Sequence, residues 1–224
     1  MITVKARALL LSAVLSSALA LAGSSYAEEA AATPPADTPA AVDADVARLL
    51  KDGKSIKWNW NRGEARYGHS EILIGAAPDK IKQIVTFFPG YKDLVPDKFN
   101  NSRVVAKENN TTDVYMQIPM KAAFLKSLSV WQIMRFTPVR ELAPGHFQLE
   151  GRFVKGSNIR DGHVLYTWRA VTPTVTLLKM DILINPSLPA PQSAIDEELR
   201  DAAQNAVDAI HDKAQGNKLP LREL

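Results

Sequence analysis

The sequence contains no cysteine. Disulfides, thiolate metal ligands and a cysteine-linked lipid anchor are all excluded, so stability must come from an ordinary apolar core. Histidine is scarce: His69, His146, His163 and His211 are the only four, and none has metal-ligand spacing to another. His163 lies near Asp161 in a turn-like stretch and reads as half of a surface pair, with no nucleophile placed beside it. His211 reads as a cation at a helix end. Gly151, Gly156 and Gly162 are too widely spaced for a phosphate loop. An excess of one charge is missing too. Lys and Arg total 27 against 24 Asp and Glu, and Lys5 and Arg7 supply two of the three net positive charges. Without a basic stripe, nothing points to nucleic acid. Beyond Ala22 no run is long and apolar enough to span a bilayer.

The N-terminus has Lys5 and Arg7, then an apolar run from Ala8 to Ala22, then Ser25-Tyr26-Ala27 with small residues flanking a cleavage point. This is the pattern of a secretory signal peptide over residues 1–27 rather than of a membrane anchor, and it predicts export to a bacterial periplasm or to the medium. Residues 28–42 are Ala, Pro, Thr and acidic residues with little bulky apolar surface, the composition of a flexible tether. A short helix is expected from Asp43, its N-cap, to Lys51, ended by Gly53. Residues 43–65 form an N-terminal extension to a domain at 66–216, and 217–224 are a C-terminal tail.

Alternation marks the strands. Ile56, Trp58 and Trp60 alternate with Lys57, Asn59 and Asn61, and Tyr67 to Gly75 follows as a second strand. Pro78 and Asp79 suit a helix start, and Ile81, Ile84, Val85 and Phe88 continue it until Pro89-Gly90. Tyr91 to Leu94 adds one more turn. From Ser102 the chain reads as an antiparallel meander, with Asn109-Asn110-Thr111-Thr112 as a hairpin loop. Phe147, Leu149, Gly151 and Phe153 share one face, as do Val164, Tyr166 and Trp168, then Leu178, Met180, Ile182 and Ile184. A long Ala-rich helix between Ser187 and Gly216 closes the chain. Ser193 with Asp196 fits a capping box, and Ile195, Leu199, Ala202, Ala206 and Ile210 form its apolar stripe. The fold class is therefore α+β: a curved antiparallel sheet of about seven strands wrapped around one C-terminal helix, with two short helices after the first main strand.

Three passages carry a resemblance. They are Ile72-Leu73-Ile74-Gly75-Ala76-Ala77-Pro78-Asp79-Lys80-Ile81 leading to Phe87-Phe88-Pro89-Gly90-Tyr91, then Val114-Tyr115-Met116-Gln117-Ile118-Pro119, then Glu150-Gly151 through Gly162 with Asn185-Pro186-Ser187-Leu188-Pro189 before the last helix. In this order they resemble the START-like (SRPBCC) helix-grip superfamily of polyketide cyclase and dehydrase-like, coenzyme Q-binding and lipid-transfer proteins. The resemblance implies a grip around a hydrophobic or amphipathic small molecule, with transient membrane contact. Small side chains on the helix either leave room for a guest or let the helix lie close to the sheet.

The candidate ligand-binding residues are Tyr115, Trp131, Arg135, Phe147, Leu149, Phe153, Tyr166, Trp168, Met180, Leu199, Ala202 and Ala206. The aromatic residues would orient an amphipathic guest, and Arg135 or Arg152 would hold an acidic head group. Met120 to Leu125 is unusually apolar for a connection and reads as a flap or as packing on the sheet edge. No catalytic constellation is present, and no metal or cofactor is called for. Carriage of a lipid-like molecule without covalent chemistry is the leading expectation. A polyketide cyclase-type enzyme and an interaction module with a filled core are the alternatives. The sequence does not reach oligomeric state.

Overall fold

A computed structural model describes residues 39–95, 99–119, 129–187 and 189–215. The expected signal peptide, most of the tether, the flap at 120–125 and the cap at Gly216 lie outside these residues. The chain begins with α1 (Pro39–Asp52), β1 (Ile56–Arg62) and β2 (Ala65–Ile74). Next come α2 (Pro78–Thr86), a 3-10 turn (Phe88–Gly90) and α3 (Tyr91–Leu94). The meander runs through β3 (Asn101–Glu108), β4 (Thr111–Pro119), β5 (Ser129–Phe136), β6 (Arg140–Ala143), β7 (His146–Gly156), β8 (Ile159–Thr172) and β9 (Val175–Pro186). The last element is α4 (Gln192–Gln215). The fold is α+β, as expected, with nine strands rather than about seven.

All pairings are antiparallel, in the order β1-β2-β9-β8-β7-β5-β4-β3, and β6 shares the edge of β7 with β5. The short, wholly exposed β6 has no apolar alternation, which is why its sequence reads as a connection. The β3–β4 hairpin turns on Asn109 and Asn110, with φ of 50° and 63°. Asparagine tolerates this left-handed geometry, which matches strand twist in a two-residue loop. Register shifts interrupt β3–β4 between Val104 and Ala106 and β5–β7 between Ile133 and Met134, and bulges of this kind bend a sheet.

Two helix starts differ from expectation. α1 begins at Pro39, which places Asp43 inside the helix rather than at its cap. It ends as predicted: Gly53, at φ 62°, donates its N–H to the Leu49 carbonyl at 2.9 Å. α4 begins at Gln192, so Ser193 is already helical and the capping box does not form. Asp196 instead accepts from Gln192 Nε2 and Arg66 Nε, each at 2.8 Å. The buried stripe of α4 is Leu199, Ala203, Val207 and Ile210, with Ile195, Ala202 and Ala206 half-buried on its flank.

α4 packs chiefly on β2, β9 and β1 and touches α2 and α3. Its closest approach is at Gly68, where an added Cβ would stand 2.2 Å from the Leu199 carbonyl carbon and 2.7 Å from the Arg200 nitrogen. Both obstacles are backbone, which cannot rotate aside. Close packing by small residues is therefore real at this end of the helix. Gly68→Ala is expected to lower stability by about 1–3 kcal/mol through overpacking. Gly162→Ala, whose Cβ would meet its nearest neighbours at 3.5 Å, is expected to leave stability close to native. Urea midpoints followed by circular dichroism separate the two; equal midpoints would contradict this account of the helix seat.

Candidate functional site

Strand alternation sorts the side chains onto an inner face toward α4 and an outer face away from it. The inner face takes Val114 and Met116 from β4, Val130, Gln132, Met134 and Phe136 from β5, and Leu149 from β7. β8 contributes Val164, Tyr166 and Trp168, and β9 contributes Leu178, Met180 and Ile182. Together with α2, the 3-10 turn, α3 and α4 these build one apolar cluster. Of the residues expected to contact ligand, Phe147, Leu149, Phe153, Tyr166, Trp168, Met180, Leu199, Ala202 and Ala206 all belong to it.

Tyr115, Trp131 and Arg135 do not. Their neighbours Val114, Met116, Val130 and Met134 occupy the inner positions, so period two sends these three outward. Tyr115 stacks on Trp131 with ring centroids 6.1 Å apart, and the Arg103 guanidinium lies 5.0 Å over Tyr115. Arg135 is held by both Asp113 carboxylate oxygens at 2.7 and 2.8 Å. Arg152 is also outward, 2.5 Å from Glu150. Neither arginine can hold a head group inside the grip.

The cluster is not uniformly sealed. Val164, Ile182 and Leu199 are buried, whereas Phe153, Ile184, Ile195, Ala202 and Ala206 are half-buried although they belong to the same apolar face. Because α4 is seated on β2, β9 and β1, the inner side of β7 and β8 at this end is left less covered. At this end the inner face carries Gln132 on β5, Phe153 on β7, Gly162 on β8 and Ile184 on β9.

Polar groups on this side are few. The Tyr91 hydroxyl donates to the Val85 carbonyl at 2.5 Å and is hydrogen-bonded to Tyr166. Burial pushes both phenols above their ordinary pKa, so they stay protonated. Ser102 donates to the Phe88 carbonyl at 2.6 Å. Trp168 Nε1 and Gln132 Oε1 are buried without a hydrogen-bond partner. Apart from tyrosine, no ionisable side chain stands at the inner positions of β4, β5, β7, β8 and β9 named above.

The outer face carries the opposite chemistry, which sequence reading did not find. α1 seats Leu49 and Val46 on Leu73, Val175 and Leu177. Beside this patch lie Asp45 and Arg48 from α1, Glu71 and His69 from β2, and Lys179 and Asp181 from β9. Lys179 Nζ is 2.8 Å from Asp45 and 3.6 Å from Glu71. Arg48 pairs with Glu71 and, at 3.0 Å, with Asp45. His69 Nδ1 is 2.7 Å from Asp181 Oδ1, which also accepts from Trp60 Nε1 at 2.8 Å. Burial opposes a charge on His69, but the hydrogen bond and attraction of Asp181 and Glu71 outweigh it and raise its pKa. Burial likewise works against the Glu71 carboxylate, and His69, Lys179 and Arg48 overcome it and hold its pKa below the usual range. Three acids thus face three bases in a neutral set, with His69 Nε2 and Glu71 Oε2 buried 3.8 Å apart and without a hydrogen-bond partner.

His163 is buried too, contrary to the surface reading. Its Nδ1 accepts from the Tyr67 hydroxyl at 3.1 Å and its Nε2 donates to Glu150 at 3.0 Å. Burial depresses its pKa and Glu150 only partly compensates, which keeps the ring neutral. Asp161 accepts from the backbone N–H of Gly162 instead. Among the described residues no group of three or more His, Asp and Glu is arranged for a metal ion.

No family model matches the sequence, and no curated protein matches it. Solved structures do resemble the fold. A STAR-related lipid transfer protein from Xanthomonas axonopodis aligns over 71% of this chain and 93% of its own, at TM-score 0.61 and 11% identity. A START superfamily protein from Mycobacterium smegmatis aligns over 68% of this chain and 99% of its own, at TM-score 0.56 and 15% identity. The Zhui aromatase/cyclase of a Streptomyces species aligns over 72% of this chain and all of its own, at TM-score 0.52 and 13% identity. The architecture is the START-like helix-grip fold.

The outer cluster makes a pH prediction. A raised His69 pKa contributes stability that is complete below about 6.5 and is lost as pH rises through the folded value. The lowered Glu71 pKa contributes stability present above about 4.5 and lost as pH falls through its folded value. His163 has the opposite slope to His69, because a depressed histidine pKa favours the folded state as pH rises. The urea midpoint difference between the parent protein and His69→Gln should therefore be greatest between about pH 4.5 and 6.5 and shrink above that. A difference that grows with pH would contradict the charge assignment. Lys179→Met leaves Arg48 as the remaining shared cation of Asp45 and Glu71 and should cost about 1–3 kcal/mol in the same assay.

Proposed function

We propose that the protein binds a hydrophobic or amphipathic small molecule in the groove between α4 and the inner face of β7, β8 and β9. One observation carries this reading: Phe153, Ile184, Ile195, Ala202 and Ala206 belong to the core cluster yet remain half-buried. Apolar side chains left wet inside a fold are the raw material of a ligand site, and each buried CH2 of a guest contributes about 0.8 kcal/mol. The shared fold of lipid-transfer and aromatase/cyclase proteins supports the reading. At the described inner strand positions tyrosine is the only ionisable side chain, which favours holding a molecule over transforming it, since tyrosines held protonated are poor bases. The signal-peptide pattern in residues 1–27 supports action outside the cytoplasm, with a membrane as the source of the guest.

Filling the groove tests the proposal. Ala202→Trp places an indole where a guest would lie. Nile red, an apolar dye that is neutral at neutral pH, should bind the parent protein with saturable fluorescence. It should bind Ala202→Trp at least about tenfold more weakly, the effect of losing roughly two buried CH2 groups, while the circular dichroism spectrum is retained. Equal dye affinity in the two proteins would overturn the assignment of the groove.

A further inference from the structure

The polarity of the guest is written into Gln132. Its position on β5 lies in the run Val130, Gln132, Met134, Phe136, all buried and all turned inward. An aliphatic residue would satisfy that environment. Gln132 is instead 4% exposed, and its Oε1 has no hydrogen-bond partner. A buried amide oxygen without a partner is unfavourable, and natural folds rarely retain one without a use for it. Gly162 lies beside it and carries no side chain. A Cβ on Gly162 would come 3.8 Å from Gln132 Oε1 and 3.5 Å from both Phe153 Cβ and the Leu183 carbonyl oxygen. These are ordinary contacts, so a single methyl at Gly162 would fit beside the amide without strain.

The surroundings decide which group suits this position. Its register partners are Met116 and Gly156, and Phe153 and Gly162 lie close by; none of them is charged. An ion brought here would lose its hydration with no counter-charge, at a cost a single amide does not offset. A neutral hydroxyl both donates and accepts, and so matches an amide whichever way its O and N are turned.

We infer that Gln132, beside Gly162, forms a subsite for a neutral hydrogen-bonding group, a hydroxyl, on an otherwise apolar ligand, and that the groove discriminates against carboxylates and fully apolar chains. This rests on the groove-binding reading above.

Displacement of bound Nile red by three probes of equal chain length tests it: decanol, methyl decyl ether and decanoate. Decanol should displace the dye at concentrations about tenfold below the ether and lower still relative to decanoate. Gln132→Leu should still bind Nile red but displace it equally with decanol and the ether, and its urea midpoint should rise because the unpartnered amide is gone. Gly162→Leu should also lose the preference for decanol, whereas Gly162→Ala should keep most of it. Should Gln132→Leu fold poorly, Gln132→Met serves in its place with the same expectation. Equal displacement by decanol and ether in the parent protein, with Nile red bound, overturns the Gln132 subsite alone. Absence of saturable Nile red binding overturns the groove and the subsite together. A decanol preference that survives Gln132→Leu or Gln132→Met assigns the selectivity elsewhere and overturns the subsite.

Discussion

The seat of α4 on Gly68 is the constraint from which the rest follows. With no side chain at this position, the helix backbone at Leu199 and Arg200 rests directly on the sheet, and an added Cβ would stand 2.2 Å from it. A helix pinned this tightly to β2 cannot also lie tightly on β7 and β8, because the sheet is wider than one helix. α2, the 3-10 turn and α3 cover part of the remainder, through Ile81, Val85, Phe88 and Tyr91. The end of the face carrying Phe153 and Ile184 is covered least. That partial exposure is the geometric remainder of a close contact elsewhere, and not the product of a uniformly lifted helix.

The same seat explains the burial of β2 on both faces. Gly68, Ser70, Ile72 and Ile74 lie beneath or beside α4, while His69, Glu71 and Leu73 lie beneath α1. Ionised groups in the second layer need full pairing, since removal from water costs several kcal/mol per charge. Asp45, Glu71 and Asp181 offset the charges of Arg48, Lys179 and His69 as a set. Such a set adds little net stability over an apolar core. Its value lies in fixing position, because α1 can satisfy Lys179 and Glu71 only where Asp45 and Arg48 reach them.

The inner face of β7, β8 and β9 was legible in the sequence because its alternation is clean: Phe147 to Phe153, Val164 to Trp168 and Leu178 to Ile184 contrast with polar neighbours. In β4 and β5 both sets of alternating residues are bulky, so Tyr115 and Trp131 competed with Met116 and Met134 for the inner positions. The better signal was the contrast of Asp113 and Arg135 with Val114 and Met134, since a charge on a strand marks the wet side for its neighbours two away. The α4 stripe came out one position early, on Ala202 and Ala206 instead of Ala203 and Val207. Alanine and valine carry too little contrast along that helix to set its rotation. The outer cluster was not legible at all: Asp45 meets Lys179 and His69 meets Asp181 only through the strand order β2-β9, which brings together residues more than a hundred positions apart.

Hydrocarbon and charge fall on opposite sides of this sheet. The inner side has Tyr91 and Tyr166 as its acids, both held protonated by burial and bonded to each other, the former also to the Val85 carbonyl. Neither is free to take a proton from a guest at neutral pH. The side with histidines and carboxylates is filled, its charges spent on one another and roofed by α1. General acid–base catalysis needs a titratable group and a substrate at one place, within hydrogen-bond reach. This chain separates them by the thickness of a β-layer, and a molecule held over Phe153 and Gly162 meets an amide and hydrocarbon. That division is the physical ground for the proposal that the grip retains a ligand.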